Sequence, residues 1–79
     1  MHAENLVKMA NDIAAFFQAE PERAVAVHGI VDHLRRFWDP RMRKEIIRYY
    51  REGGSGLSEL TKEAVKQLDS EMASAVESG

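Results

Sequence analysis

Seventy-nine residues leave room for one domain, and a chain of this size buries only about 60% of the surface that its unfolded form exposes. With no cysteine, disulfides and thiolate metal sites are excluded as sources of stability, which fits a reducing compartment. A scaffold this small without such staples leans on a partner or on self-association. The formal net charge of −2 gives no general attraction to a polyanion, and no run of about 18 apolar residues is present to span a membrane. The first residues lack the basic flank and apolar stretch of a secretory signal, so a cytoplasmic location is expected.

The first segment places Leu6, Met9, Ala10, Ile13, Phe16 and Phe17 at steps of three, one or four residues. That spacing predicts a helix with an apolar stripe about 120° wide. Pro21 follows, at a position where a helix can start but not continue. The second helix carries Val27, Ile30, Val31, Leu34, Phe37 and Trp38 in the same spacing. The short connection predicts that the two helices pack antiparallel. Gly29, inside the second helix, costs up to about 1 kcal/mol relative to Ala, and close approach of a neighbouring helix would account for it.

Asp39-Pro40 ends the second helix and starts the third, since Asp caps free N–H groups and Pro at the first helical position loses nothing. The third helix runs to about Glu52, where Gly53-Gly54-Ser55-Gly56 breaks the chain. A fourth, C-terminal helix is expected over residues 57–79, capped by Ser58. Its face is Leu57, Leu60, Thr61, Ala64, Leu68 and Met72, and its tail should fray after about Glu71. No segment alternates apolar and polar residues as a strand would. The fold class expected is all-α: one domain over residues 1–79, a small bundle of an antiparallel hairpin and a crossing third helix, with the fourth helix appended.

Charge is distributed unevenly along the chain. Residues 1–34 hold five acids and two bases (−3), residues 35–51 seven bases and two acids (+5), and residues 52–79 six acids and two bases (−4). The basic band either steers a partner or an anion, or is neutralised by acidic segments that fold back on it. On the third helix, Arg41, Lys44, Arg48 and Arg51 form one basic stripe. Met42, Ile46, Tyr49 and Tyr50 form the opposite, apolar face. Arg43 falls inside the apolar sector, where a buried Arg must find a carboxylate or several carbonyls; three outcomes are open to it, pairing with an internal acid, snorkelling to solvent, or reaching into a partner subunit. Asp32 precedes Arg36 by one turn, in a favourable orientation for an ion pair. Trp38 is either core or an interface anchor, since aromatics and arginines together are typical of interface hot spots.

Other chemistries find little support. His28 and His33 stand about 140° apart on a helix, and His2 is near the terminus, so a zinc site with its usual four ligands is not expected. Asp12, Glu45, Glu52 and Glu63 make no recognisable carboxylate pair, and Ser55, Ser58 and Thr61 have no His and acid at a familiar spacing. The glycine-rich loop lacks the Gly-Lys-Ser/Thr ending and preceding strand of a phosphate loop. No catalytic or metal site is expected on this chain.

Three pieces of the sequence carry a family resemblance: Leu6-Val7-Lys8-Met9-Ala10-Asn11-Asp12-Ile13-Ala14-Ala15-Phe16-Phe17, then His33-Leu34-Arg35-Arg36-Phe37-Trp38-Asp39-Pro40-Arg41-Met42-Arg43, then Gly53-Gly54-Ser55-Gly56-Leu57. In this order they span about two thirds of the chain, and the middle string is the most specific. The chain resembles the delta subunit of NAD-dependent, molybdenum- or tungsten-containing formate dehydrogenase. The resemblance implies a non-catalytic accessory subunit that docks on the alpha subunit and aids assembly or cofactor insertion. It also implies a complex using bis-molybdopterin guanine dinucleotide, iron–sulfur clusters, FMN and NAD, none of them expected on this chain alone. The residues expected at the partner surface are Arg35, Arg36, Phe37, Trp38, Arg41, Arg43 and Tyr50, and the isolated chain is expected to have the option of dimerising through that surface. The alternative function is a small helical nucleic-acid-binding domain that uses the basic face of the third helix. Membrane-surface binding by that helix is a third reading.

Overall fold

The computed structural model describes the backbone of residues 3–78 and the side chains of residues 3–73. His2 therefore lies outside the described residues, as do the side chains of the tail. The chain forms four helices, α1 (Ala3–Phe17), α2 (Arg23–Phe37), α3 (Pro40–Arg51) and α4 (Glu59–Ser78), and no strand among the described residues. Its radius of gyration is 11.8 Å, close to the ~12 Å expected of one packed domain of this length.

Each boundary has a local cause. Asp39 adopts extended backbone and its Oδ1 accepts from the Met42 N–H at 2.9 Å, with Pro40 opening α3. At the other end of α3, the Gly53 N–H donates to Tyr50 O and the Gly54 N–H to Tyr49 O, both at 3.0 Å. This is the paired C-terminal cap that glycine favours, and Gly54 takes φ of +62°, where a Cβ would be strained. Ser58 caps α4, its Oγ accepting from the Thr61 N–H at 3.2 Å. Pro21 precedes α2, whose N-cap Glu22 makes no side-chain cap bond.

The hairpin is antiparallel. Phe17, at the end of α1, covers Gly29 one and a half turns into α2, so closely that a Cβ there would stand 2.4 Å from Phe17 Cε1. This close approach is what the glycine permits. Both α2 and α3 pack on α1 and α4. The core joins Leu6, Ala10 and Ala14 of α1 to Val27, Ile30, Val31, Leu34 and Trp38, to Ile46 and Ile47 of α3, and to Leu57, Ala64, Val65 and Leu68. With 20 residues α4 is the longest helix and a full member of this core.

Three residues depart from the expected core. Met9 and Phe16 on α1 are exposed, at 42% and 82%, and so is Phe37 at 70%. On α1 the buried line is Leu6, Ala10 and Ala14, a strict four-residue spacing with two small residues. It brings the neighbouring helices close, so only a narrow strip is covered and the flanks of the wider stripe stay in water. On α2, Phe37 is the last helical residue, and its ring packs on His33 rather than into the core.

Candidate docking surface at the α2–α3 corner

The seven residues expected at a partner surface divide by environment. Trp38 is a core residue at 5% exposure, and its N–H closes α2 on Leu34 O at 3.1 Å. Its indole braces the corner from beneath. Arg43 is half-buried, and its Nη1 donates to the carbonyls of Leu34 (3.4 Å), Arg35 (3.3 Å) and Trp38. Arg43 thus meets the need of a buried arginine with several carbonyls and not with the internal acid that was one of its expected outcomes. Its charge sits at the C-terminal, negative end of the α2 dipole and ties α3 to the helix before it. Tyr50 packs against the core beside the Gly54 turn. It stands nine residues along α3 from Arg41, about 14 Å of axial rise, so it does not join the other six.

What the corner presents outward is Arg35, Arg36, Phe37 and Arg41, all exposed. Arg36 Nε pairs with Asp32 at 3.1 Å, the spacing-favoured pair, and Arg35 Nη1 meets Glu71 of α4 at 3.3 Å. Among the described residues Arg41 and Lys44 take part in no ion pair. They share a shallow depression with Asp39, Pro40, Glu45 and Arg48.

The rest of the basic stripe is neutralised within the chain. Arg48 Nη2 donates to both Glu45 oxygens at 2.8 and 2.6 Å. These bonds hold the Glu45 carboxyl below its ordinary range and, with Glu52 adding to them, the Arg48 guanidinium above its own. Arg51 grips Asp69 of α4, Nε to Oδ2 at 2.9 Å, and the carboxylate raises the guanidinium above its usual range. Arg23 pairs with Glu63 at 2.8 Å. The acids of α4 thus do fold back on the bases of α2 and α3, while Arg41 and Lys44 are left over.

His28 is exposed and His33 is stacked on Phe37, ring centroids 4.7 Å apart. Among the described residues no three His, Asp or Glu side chains gather as metal ligands would, and no helix is long and apolar enough to cross a membrane. Asn11 also takes a structural role, one that no motif marks. Its Nδ2 donates to Gly56 O at 2.8 Å, and its Oδ1 accepts from the Ser58 N–H (3.0 Å) and the buried Thr61 hydroxyl (2.9 Å). One amide thereby ties α1 to the glycine turn and to the start of α4. An Asn in the middle of a helix, where it is a poor former, was the available signal.

A family model described as "NADH-dependant formate dehydrogenase delta subunit FdsD" matches residues 5–65, a span that holds the whole corner. No curated protein and no solved structure matches.

Proposed function

The chain belongs to the NADH-dependent formate dehydrogenase delta-subunit family, and on that premise we propose that it is a non-catalytic accessory subunit. In this reading it docks on the large alpha subunit, which carries the bis-molybdopterin guanine dinucleotide, and assists assembly of the complex or insertion of that cofactor. Iron–sulfur clusters, FMN and NAD belong to the other subunits, and the complex works in the cytoplasm. The observation that carries the reading is the corner itself. Arg43 and Trp38 hold it rigid from within, while Phe37, Arg35, Arg36 and the unpaired Arg41 face outward. Aromatic and guanidinium groups on a rigid base are what interface hot spots are made of. The nucleic-acid reading is the less favoured one, because Glu45, Glu52 and Asp69 pair with half of the α3 stripe. Two remaining cations make too narrow a field for a phosphate backbone.

The test is co-purification of the tagged chain with the alpha subunit, alongside cofactor analysis of the enzyme. Wild type is expected to retain the alpha subunit, and the double variant Arg36→Glu/Arg41→Glu to lose most of it while folding normally. Full cofactor content and activity in cells lacking the chain, with no subunit recovered on it, would overturn the reading.

A further inference from the structure

We propose that the start of α3 carries an acid-reading epitope, in which Arg41 and Lys44 together grip two carboxylates of an acidic surface segment on the formate dehydrogenase subunit that receives this chain. The proposal rests on the accessory-subunit reading and deepens it by naming the chemistry of the partner's side. Both side chains are exposed, and among the described residues neither takes part in an ion pair. Their placement is unfavourable for the chain by itself. The N-terminal end of a helix is its positive pole and prefers acids, yet α3 has no acid in its first turn, where Arg41 stands. Lys44 follows Arg41 by three residues and precedes Arg48 by four, so like charges adjoin it on both sides of the helix face. Glu45 lies four residues after Arg41, the weaker order for a helical pair, and Arg48 holds both of its oxygens, at 2.8 and 2.6 Å. Asp39, the other acid of the shared depression, caps the Met42 N–H. Arg43 is occupied by the carbonyls of α2, whereas Arg41 and Lys44 have no comparable task inside the fold. A local rule broken with no internal compensation marks a functional site.

The sign of this surface selects its occupant. The planar fork of Arg41 matches one carboxylate, and Lys44, one turn on with its Cβ roughly 5–6 Å away, suits a second. Two cations are too few to follow a phosphate backbone. Among the described acids of this chain, Glu4, Glu20 and Glu22 make no ion pair, and they lie outside the depression. A second copy offering them would join two different surfaces, and such head-to-tail contacts run on into rings or filaments rather than closing a pair. A larger subunit with an acidic segment fills the site once and meets the unpaired cations with the charge they lack.

The decisive experiment uses the co-expressed complex. A zero-length carbodiimide joins an amine to a carboxylate already in contact with it, so Lys44 is expected to cross-link to an Asp or Glu of another subunit, mapped by mass spectrometry. Lys44→Arg keeps the charge but has no amine, and is expected to bind as wild type and to lose that cross-link. Lys44→Glu is expected to bind at least about tenfold more weakly. It should melt no lower than wild type, because the substituted carboxylate precedes Arg48 by four residues in the favourable order. Lys66→Glu makes the same change of net charge at an exposed position of α4 outside the depression, and is expected to leave binding unchanged. Undiminished binding by Lys44→Glu, or coupling of Lys44 only to acids of its own chain or of a second copy, overturns the epitope and leaves the accessory-subunit reading standing. Equal losses with Lys44→Glu and Lys66→Glu would mean that overall charge acts rather than a seated carboxylate, and a lower melting temperature with Lys44→Glu that the lysine serves the fold; either overturns the proposal. Failure of wild type to bind any subunit overturns the accessory-subunit reading, and the epitope with it.

Discussion

At the scale of single residues, Arg43 shows how a cation is accommodated on the inner side of a small helix. Carbonyls at the end of α2 lack their full set of helix partners, and from α3 Arg43 reaches those of Arg35 and Trp38, together with that of Leu34, which the Trp38 N–H already bonds. Replacing it with Met keeps the stem and removes the donors. The Trp38 carbonyl, part-buried at this contact, costs about 1–3 kcal/mol when left unpaired. Arg43→Met is therefore expected to lower the melting temperature by about 5–15 °C, since 1 kcal/mol moves a domain of this size by about 4–8 °C. Arg41→Met, a few residues away on the exposed side, should melt with wild type. Thermal unfolding followed by circular dichroism separates the two, and equal effects would mean that Arg43 is not a cap. For the same reason a loss of docking in an Arg43 variant says little about the partner, whereas one in an Arg41 variant does.

At the scale of elements, α1 illustrates what a hydrophobic pattern conveys and what it omits. The stripe correctly identifies a helix and its inward side, and the capping residues Asp39 and Ser58 were readable at their exact positions. It did not convey how wide the covered strip would be, because that depends on how near the neighbouring helices come. Ala10 and Ala14 set that distance, and Met9 and Phe16 fall outside it. The four-residue alanine spacing held that information, but only in combination with the partner helices. Asn11 is the polar counterpart. Its three bonds span 45 to 50 residues of sequence, which no local pattern encodes. Asn11→Ala gains up to about 0.7 kcal/mol of helix propensity but removes the acceptor of the Ser58 N–H and leaves the buried Thr61 hydroxyl with Ser58 Oγ as its one side-chain partner, a loss of about 1–3 kcal/mol. The expected outcome is a net loss of stability together with faster amide exchange at Ser58. Unchanged exchange there would show that the turn holds without the amide.

At the scale of the whole molecule, α4 is bound to the rest by buried Thr61, Ala64, Val65 and Leu68 and by three ion pairs to α2 and α3: Arg23–Glu63, Arg35–Glu71 and Arg51–Asp69. The charge bands read along the sequence are thus largely an account of how the chain holds itself together. The formal net charge of only −2 makes overall self-repulsion slight, so added salt acts mainly on the pairs. Raising sodium chloride from about 0.01 M to about 1 M shrinks the screening length from about 30 Å to about 3 Å. It should lower the melting temperature by a few degrees, and a rise would show that repulsion outweighs the pairs. All four helices were legible in the sequence. The place of Val65 in the core was not, because it falls beside the face of Leu60, Thr61, Ala64, Leu68 and Met72 and is buried only where α4 meets the other helices.

The place of α4 in the order of synthesis has a bearing on when a partner can be met. Leu68 and Val65 are translated after every other piece of the core. When α1, α2 and α3 have left the ribosome, the sides of these helices that α4 covers are therefore still bare. Until the closing helix emerges, the nascent polypeptide offers a cleft rather than a finished exterior, so a subunit recruited at that moment would compete with α4 for the same apolar wall.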